Sequence, residues 1–308
     1  VADAYEIALA QTKFSLALEM ALQQETTKIR GAVREQGITG AKLMSPIQQI
    51  EPVQMKAVSG RFSDKNYDAN YYTRRWVAPT DYVGDTLIDT FDLLKTEIDP
   101  KGETVSSWAS ACNRAFDDAI VTGAFGTNQI GTDANSLSNE TFDDTKYTVD
   151  EDFGGTGSGL LVAKIIEGRR IMRKNHVDIE REGVTLVIGS FQEADLLKQS
   201  QVVSSEFNRN GGVVENGTVT RLYGCNIIVM ERLPLVESAA VRNCLMFVKS
   251  GLVLGVWQDI KTQLAQIFTK EGNPWNVSTV LSHGATRTRP GKVIKIQCVD
   301  SSGADTTP

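Results

Sequence analysis

The chain has 308 residues, 41% of them hydrophobic and 23% charged, enough for a substantial core and two structural modules. Its formal charge of −6 argues against a protein whose main task is to grip nucleic acid over a broad basic surface. No run approaches the roughly 18 apolar residues of a membrane span. The start lacks the basic flank, apolar block and small-residue cleavage site of a secretory signal, so neither membrane insertion nor export is expected.

Residues 2–30 are predicted to form one helix, with Ile7, Phe14, Leu18 and Leu22 on one side and Gly31 after it. Apolar residues spread around much of its circumference, so it wants more than one neighbour. It either packs on its own domain or extends across another subunit. Residues 37–54 turn irregular around Gly40, Pro46 and Pro52. Residues 55–62 and 71–78 then read as two strands joined by a polar segment at 63–70. The second strand crowds Tyr71, Tyr72, Arg74, Arg75 and Trp76 together. Tyr, Trp and Arg dominate protein–protein hot spots. They also suit stacking on single-stranded nucleic acid, which the nearby acids Asp64, Asp68, Asp81 and Asp85 disfavour. A hairpin lying on its own core and a projecting arm both remain open at this point.

A short apolar segment at 87–94 leads into residues 103–125. There Val105, Trp108, Cys112, Ala115, Phe116, Ala119, Ile120 and Gly123 recur at three- and four-residue steps, the period of one buried helical face. Such a helix runs about 33 Å. Thr104 is placed as its cap, and Gly123 and Gly126 as its end. Asp117 and Asp118 fall off the stripe and read as a solvated edge or as partners for Arg. Residues 128–159, rich in Gly, Asn, Asp, Ser and Thr, read as loops with a brief hairpin and as a module boundary. An α/β unit follows: a helix at 160–174, a buried strand at 184–188, and a helix opened by a capping box of Ser190 and Glu193. A polar loop at 201–216 precedes strands at 218–222, 225–230 and 243–249. Strands at 275–281 and 292–299 and a polar tail from 301 complete the chain.

A search for chemistry finds little. The run Gly154-Gly155-Thr156-Gly157-Ser158-Gly159 before a helix could offer amides to a phosphate. Leu160 and Leu161 stand where a Walker loop needs Lys and Ser or Thr, and the third Gly of a dinucleotide fingerprint is missing, so a linker is the favoured reading. The two histidines, His176 and His283, read as surface or turn residues and belong to no triad. Cys112, Cys225, Cys244 and Cys298 are far apart without a CxxC pair and read as buried free thiols. Neighbouring acids on a helix point about 100° apart, so Asp117 and Asp118 make no acid/base pair. No catalytic, cofactor or metal site is expected.

The order of these parts resembles a tailed-bacteriophage major capsid protein of the HK97 fold. The resemblance runs from the hairpin at 55–78 through Phe116-Asp117-Asp118-Ala119-Ile120-Val121-Thr122-Gly123-Ala124 and residues 185–189 with their capped helix. It continues through Leu222-Tyr223-Gly224-Cys225-Asn226-Ile227-Ile228 and Ser282-His283-Gly284-Ala285-Thr286-Arg287. Each motif is weak alone, and their order carries the likeness. The resemblance implies an α+β fold with an N-terminal arm at 1–50 and an extended E-loop hairpin at 51–84. It places a peripheral domain at 85–156, with a spine helix at 103–125, an axial α/β domain at 157–256, and the rest of the peripheral domain with the tail at 257–308. It implies a non-enzymatic shell subunit that forms pentamers and hexamers and closes an icosahedral head around double-stranded DNA. The subunit would lie close to that DNA without specific binding, and a portal would be a partner. Lys56, Arg61, Phe62, Tyr71, Tyr72, Arg74, Arg75 and Trp76 of the E-loop, and Ile7, Phe14, Leu18 and Leu22 of the arm, would then meet neighbouring subunits. Some relatives carry a scaffolding segment before the arm; none is visible here, which points to a separate scaffolding protein or to removal of the segment. Lys56 and Lys65 lie in the hairpin without a recognisable crosslinking partner, so no crosslink is expected. Two alternatives stand beside this reading: an encapsulin-like compartment shell, and an α/β enzyme using residues 154–159 for a nucleotide.

Overall fold

A computed structural model of the chain describes residues 23–50, 53–57, 60–62, 64, 67, 72–89, 101–155, 157–199, 202, 214–215, 218–236 and 240–300. The predicted arm residues Ile7, Phe14, Leu18 and Leu22, the hairpin residue Tyr71 and most of the loop at 201–216 lie outside the described residues.

In chain order the strands begin with β1 (Arg34–Gly37), β2 (Met44–Ile50), β3 (Tyr72–Val77), β4 (Thr80–Ile88), β5 (Asn128–Gly131), β6 (Ser138–Glu140) and β7 (Thr148–Val149). Next come β8 (Val184–Ile188), β9 (Val214–Glu215), β10 (Thr218–Val219), β11 (Arg221–Leu222) and β12 (Cys225–Val229). The last are β13 (Leu235–Val236), β14 (Val241–Val248), β15 (Leu252–Gln266), β16 (Trp275–Arg287) and β17 (Val293–Val299). The helices are α1 (Lys101–Phe125), α2 (Asp144–Tyr147), α3 (Val162–Lys174), α4 (Ile179–Glu182) and α5 (Ser190–Leu197). The architecture is mixed α+β.

The chain divides into two units. One comprises Val1–Thr26, Asp81–Ala115 and Gln258–Leu281. In it the Trp108 indole lies where a side chain at residue 84 would be, so only Gly84 lets β4 approach α1. Its Nε1 donates to Thr86 Oγ1 at 2.9 Å, which satisfies the one polar atom of that ring. Lys101 lies over the Trp275 ring, 4.4 Å from its centre. Arg114 donates to Gln23 Oε1 at 2.8 Å, and Asn113 to the Glu25 carbonyl at 2.7 Å.

The other unit comprises Thr27–Thr80, Phe116–Trp257 and Ser282–Pro308. Its core is a seven-stranded mixed sheet of order β11-β12-β8-β14-β17-β7, with β13 added beside β14. β8 runs parallel to β12 and antiparallel to β14, and β14 runs antiparallel to β17. Every residue of β8 and β14 is buried, as both faces of a covered strand require, and both read as near-continuous apolar runs. Gly168 of α3 lets the helix close on Met246 and Ile296 of that sheet.

Several expectations are corrected. The partner of β3 is β2, not residues 55–62: residues 53–57 and 60–62 form no strand. Pro46 disguised β2, because proline removes a ladder donor; the strand accommodates it with a register shift between Met44 and Ile47. Helix α1 starts at Lys101, so Thr104 is interior and not a cap, and Gly123 is inside the helix, not at its end. Helix α3 starts at Val162, two residues later than predicted. The cap of α5 is Gly189, whose N–H donates to Gln192 Oε1 at 3.1 Å; Ser190 and Glu193 are not the capping pair. β1, β4 and most of β15 went unseen because their outer halves lack apolar alternation. His283 is not at a surface or strand end: it is fully buried within β16, with its ring 4.5 Å from that of Phe116. Asp117 is buried as well, not part of a solvated edge.

Candidate assembly surface

Strands β2 and β3, which flank residues 51–71, belong to a four-stranded sheet of order β2-β3-β5-β6. That sheet is the base that holds Ile50 and Tyr72, the residues on either side of the segment. Ile50 pairs with Tyr72, Gln48 with Arg74, and Met44 with Val77, while Arg75 pairs with Ile130 of β5. The short β5–β6 hairpin was foreseen within the loops at 128–159, and it completes the sheet.

Two guanidinium groups lock this base. Arg75 is 8% exposed and grips the Glu140 carboxylate with both nitrogens, Nη2 reaching Oε1 at 3.2 Å. Bidentate pairing of this kind fixes geometry as well as charge. Arg287 is fully buried and serves the end of α1: Nη1 donates to the carbonyls of Ala124 and Gly126 at 2.9 and 2.8 Å. Its Nη2 donates to the Glu140 carbonyl at 3.0 Å, and its charged carbon lies 5.3 Å from the centre of the Phe142 ring. Burial lowers the pKa of Arg287 and Arg75 adds to that, while Glu140 opposes it. A cation at a helix C-terminus meets the negative end of the dipole and the orphan carbonyls together. Trp76 Nε1 donates to the Gly131 carbonyl at 3.1 Å.

Asp117 performs a complementary task. Its carboxylate accepts the backbone N–H groups of Lys28 and Ile29 at 2.8 and 3.1 Å, which ties the segment before β1 to α1. Next to it Arg30 lies over the Phe116 ring at 4.5 Å. Asp118 pairs with Arg232 at 2.9 Å, one of the two roles foreseen for it.

The described residues of the connection are all exposed: 53–57, 60–62, 64 and 67. Met55 is 100% exposed, Phe62 93% and Tyr67 85%, far above what a monomer gains by leaving large apolar side chains in water. Among the predicted interface residues, Lys56, Arg61, Phe62 and Tyr72 are exposed and Arg74 and Trp76 half-buried. The polar groups of Arg75 and Trp76 already have partners within this chain, Glu140 and the Gly131 carbonyl. Met55 and Tyr67 were missed as candidates because isolated apolar residues in a polar stretch carry no periodic signal.

Ser158 of the glycine-rich run meets one of the chain's own cations. Lys164 is fully buried, and its Nζ donates to the carbonyls of Glu151, Ser158 and Gln297 at 2.9, 2.8 and 2.9 Å. Burial lowers its pKa, and nearby thiols and carboxylates oppose that. The amides opening α3 already have acceptors: Val162 N–H donates to Gln199 Oε1 at 3.1 Å and Leu160 N–H to Asp195 Oδ2 at 3.4 Å. A phosphate would have to displace these carboxylate and carboxamide oxygens. All four cysteines are buried and free; burial raises the Cys225 thiol to about 11, a poor nucleophile at neutral pH. Among the described residues, no three His, Cys, Asp or Glu side chains are placed to hold a metal ion.

Residues 7–300 match the phage capsid protein family. The chain belongs to that family. No curated protein matches it in sequence. In structure this capsid chain is similar to the capsid of cyanophage Pam1, with a TM-score of 0.70 at 11% identity, covering 95% of this chain and 97% of that one. It is also similar to the capsid of cyanophage P-SCSP1u, at a TM-score of 0.69 and 14% identity over 96% and 94% of the two chains. The capsid of a native GTA particle matches at 0.67 and 12% identity over 95% and 96%. At such identities the likeness is one of fold, and that fold is the α+β, HK97-like one implied by the order of sequence motifs.

Proposed function

We propose that this capsid protein is the major shell subunit, forming pentamers and hexamers that close into an icosahedral head around double-stranded DNA, without enzymatic activity of its own. The observation that carries this reading is the exposure of Met55, Phe62 and Tyr67, between β2 and β3, beside a sheet locked by Arg75, Glu140 and Arg287. A rigid base with an exposed apolar projection is what a subunit needs to grasp a neighbour, since repeated closed contacts place the same surface against successive copies. In this reading the arm at 1–50, through Ile7, Phe14, Leu18 and Leu22, reaches a second neighbour. The domain division into an E-loop at 51–84, peripheral segments at 85–156 and 257–308 and an axial segment at 157–256 belongs to it. A portal and a separate scaffolding protein are the partners it requires, and assembly takes place in the cytoplasm of a bacterial host. Family membership and the filled amides before α3 both weigh against a nucleotide-dependent enzyme.

The test is the size and content of the purified product. Electron microscopy and sedimentation are expected to show closed shells, with nuclease-protected DNA in particles from an infected host. A stable monomer of 33.7 kDa at all concentrations would refute the shell reading. Closed shells filled with a protein cargo would refute the DNA part alone.

A further inference from the structure

Two adjoining recesses on the larger unit, of about 360 and 300 Å³, have Tyr147 and Asn175 in both linings and together make up a groove. Lys174, His176 and Arg289 stand along it, exposed, and among the described residues none of the three has a carboxylate partner. Glu167 is the only acid lining either recess, and both its oxygens are occupied by Arg170, at 2.7 and 2.6 Å. Lys174 ends α3, where the helix dipole alone would explain a cation. That explanation does not extend to Arg289, which follows β16, or to His176, held just past the helix at a φ of 58°. Arg289 donates Nε to Gln49 Oε1 at 3.1 Å, so the orientation of its guanidinium is set.

We propose that this groove binds the phosphodiester backbone of the enclosed nucleic acid, with Lys174, His176 and Arg289 as its phosphate contacts. The inference rests on the shell reading above, and it specifies where the lumenal polyanion meets the subunit. The groove is open, and the Lys174 and Arg289 cations lie on separate stretches of chain, which suits a repeating anion better than one small ion. Each phosphate neutralised by such a cation releases condensed counterions, so affinity gains without base contacts and falls steeply with salt. A chain of net charge −6 repels DNA elsewhere, so the contact is weak and salt-limited, as packing and release of a genome demand.

The test is fluorescence anisotropy of a short duplex with the full-length unassembled chain, across a range of chloride concentrations. The double variant Lys174→Ala/Arg289→Ala is compared with the parent and with Lys261→Ala/Lys270→Ala, which removes the same charge from exposed positions in the other unit. The groove variant is expected to reduce the slope of log affinity against log salt by about 2, with the control variant close to the parent. Equal slopes for all three proteins would overturn the proposal. Unchanged DNA binding with loss of shells would overturn it in favour of a subunit contact. Displacement of the duplex by millimolar inorganic phosphate at constant ionic strength would overturn the backbone assignment in favour of a free-phosphate site. The shell reading is judged separately, by whether the parent chain closes into particles.

Discussion

Arg287 and Asp300 show how single buried charges hold this subunit's shape. Arg287 donates to three carbonyls, those of Ala124, Gly126 and Glu140. Replacing it by Ala should cost about 3 kcal/mol or more, since each orphaned buried acceptor costs about 1–3 kcal/mol; Lys, with one point charge, should recover part of the loss. Urea denaturation of the unassembled chain measures this, and an unshifted midpoint for the Ala variant would show that water replaces the guanidinium at no cost. Asp300 accepts from Arg242 at 2.7 Å and from Gln192 at 2.8 Å. Burial pushes its carboxyl up, but the hydrogen bonds from Arg242 and Gln192 outweigh that, and its pKa lies below the ordinary value. A depressed folded-state pKa means that the contribution is complete above the unfolded value of about 3.9 and is lost as pH falls through the folded one. The stability gap between the parent and Asp300→Asn should therefore be full at pH 7 and shrink below about pH 4. A gap independent of pH would sink the assignment.

At the scale of elements, α1 depends on one close approach and one tether. A Cβ at Gly123 would lie 2.7 Å from the backbone carbonyl carbon and oxygen of Ala285, atoms that cannot swing aside. Ala gains about 1 kcal/mol in helix propensity over Gly, while overpacking costs about 1–3 kcal/mol, so Gly123→Ala should destabilise the chain on balance. A raised thermal midpoint would show that β16 yields. Asp117→Ala removes the acceptor for the amides of Lys28 and Ile29. Circular dichroism should stay close to the parent while limited proteolysis near residues 28–30 becomes faster. Unchanged cleavage would mean that packing of Ile29, which is fully buried, holds the segment without the carboxylate.

For the whole molecule, the exposed residues Met55, Phe62 and Tyr67 of the connection between β2 and β3 are expected to matter to association far more than to folding. The triple variant Met55→Ser/Phe62→Ser/Tyr67→Ser removes large apolar side chains that touch little of their own chain. Anchors of this kind cost about 2 kcal/mol or more each at an interface when truncated, and in a closed shell that loss recurs at every contact. Secondary structure and urea midpoint should match the parent, with sedimentation showing capsomers or monomers instead of shells. Normal shells would remove the connection from the assembly surface. Arg75→Ala serves as the contrast, because loss of the Glu140 pair should lower stability before assembly is tested at all.

What could be read from sequence was what local physics decides alone. The 3.6-residue period of Val105 to Gly123 marked α1, and the apolar runs of β8 and β14 marked the covered sheet. The order of parts pointed to a capsid fold. Long-range pairing was not legible. Which strand lies beside β3 depends on a ladder partner that tolerates Pro46, and the local signal of that proline argued against the stretch that does pair. Nor could the sequence distinguish Asp117 from Asp118, adjacent carboxylates that differ only in what the fold brings to them: two backbone amides for the first, Arg232 for the second. The roles of Arg75, Glu140, Arg287 and Lys164 were likewise decided by the tertiary structure. A buried charge is tolerated only where distant carbonyls and counter-charges converge on it, and that convergence belongs to the folded chain, not to any stretch of it.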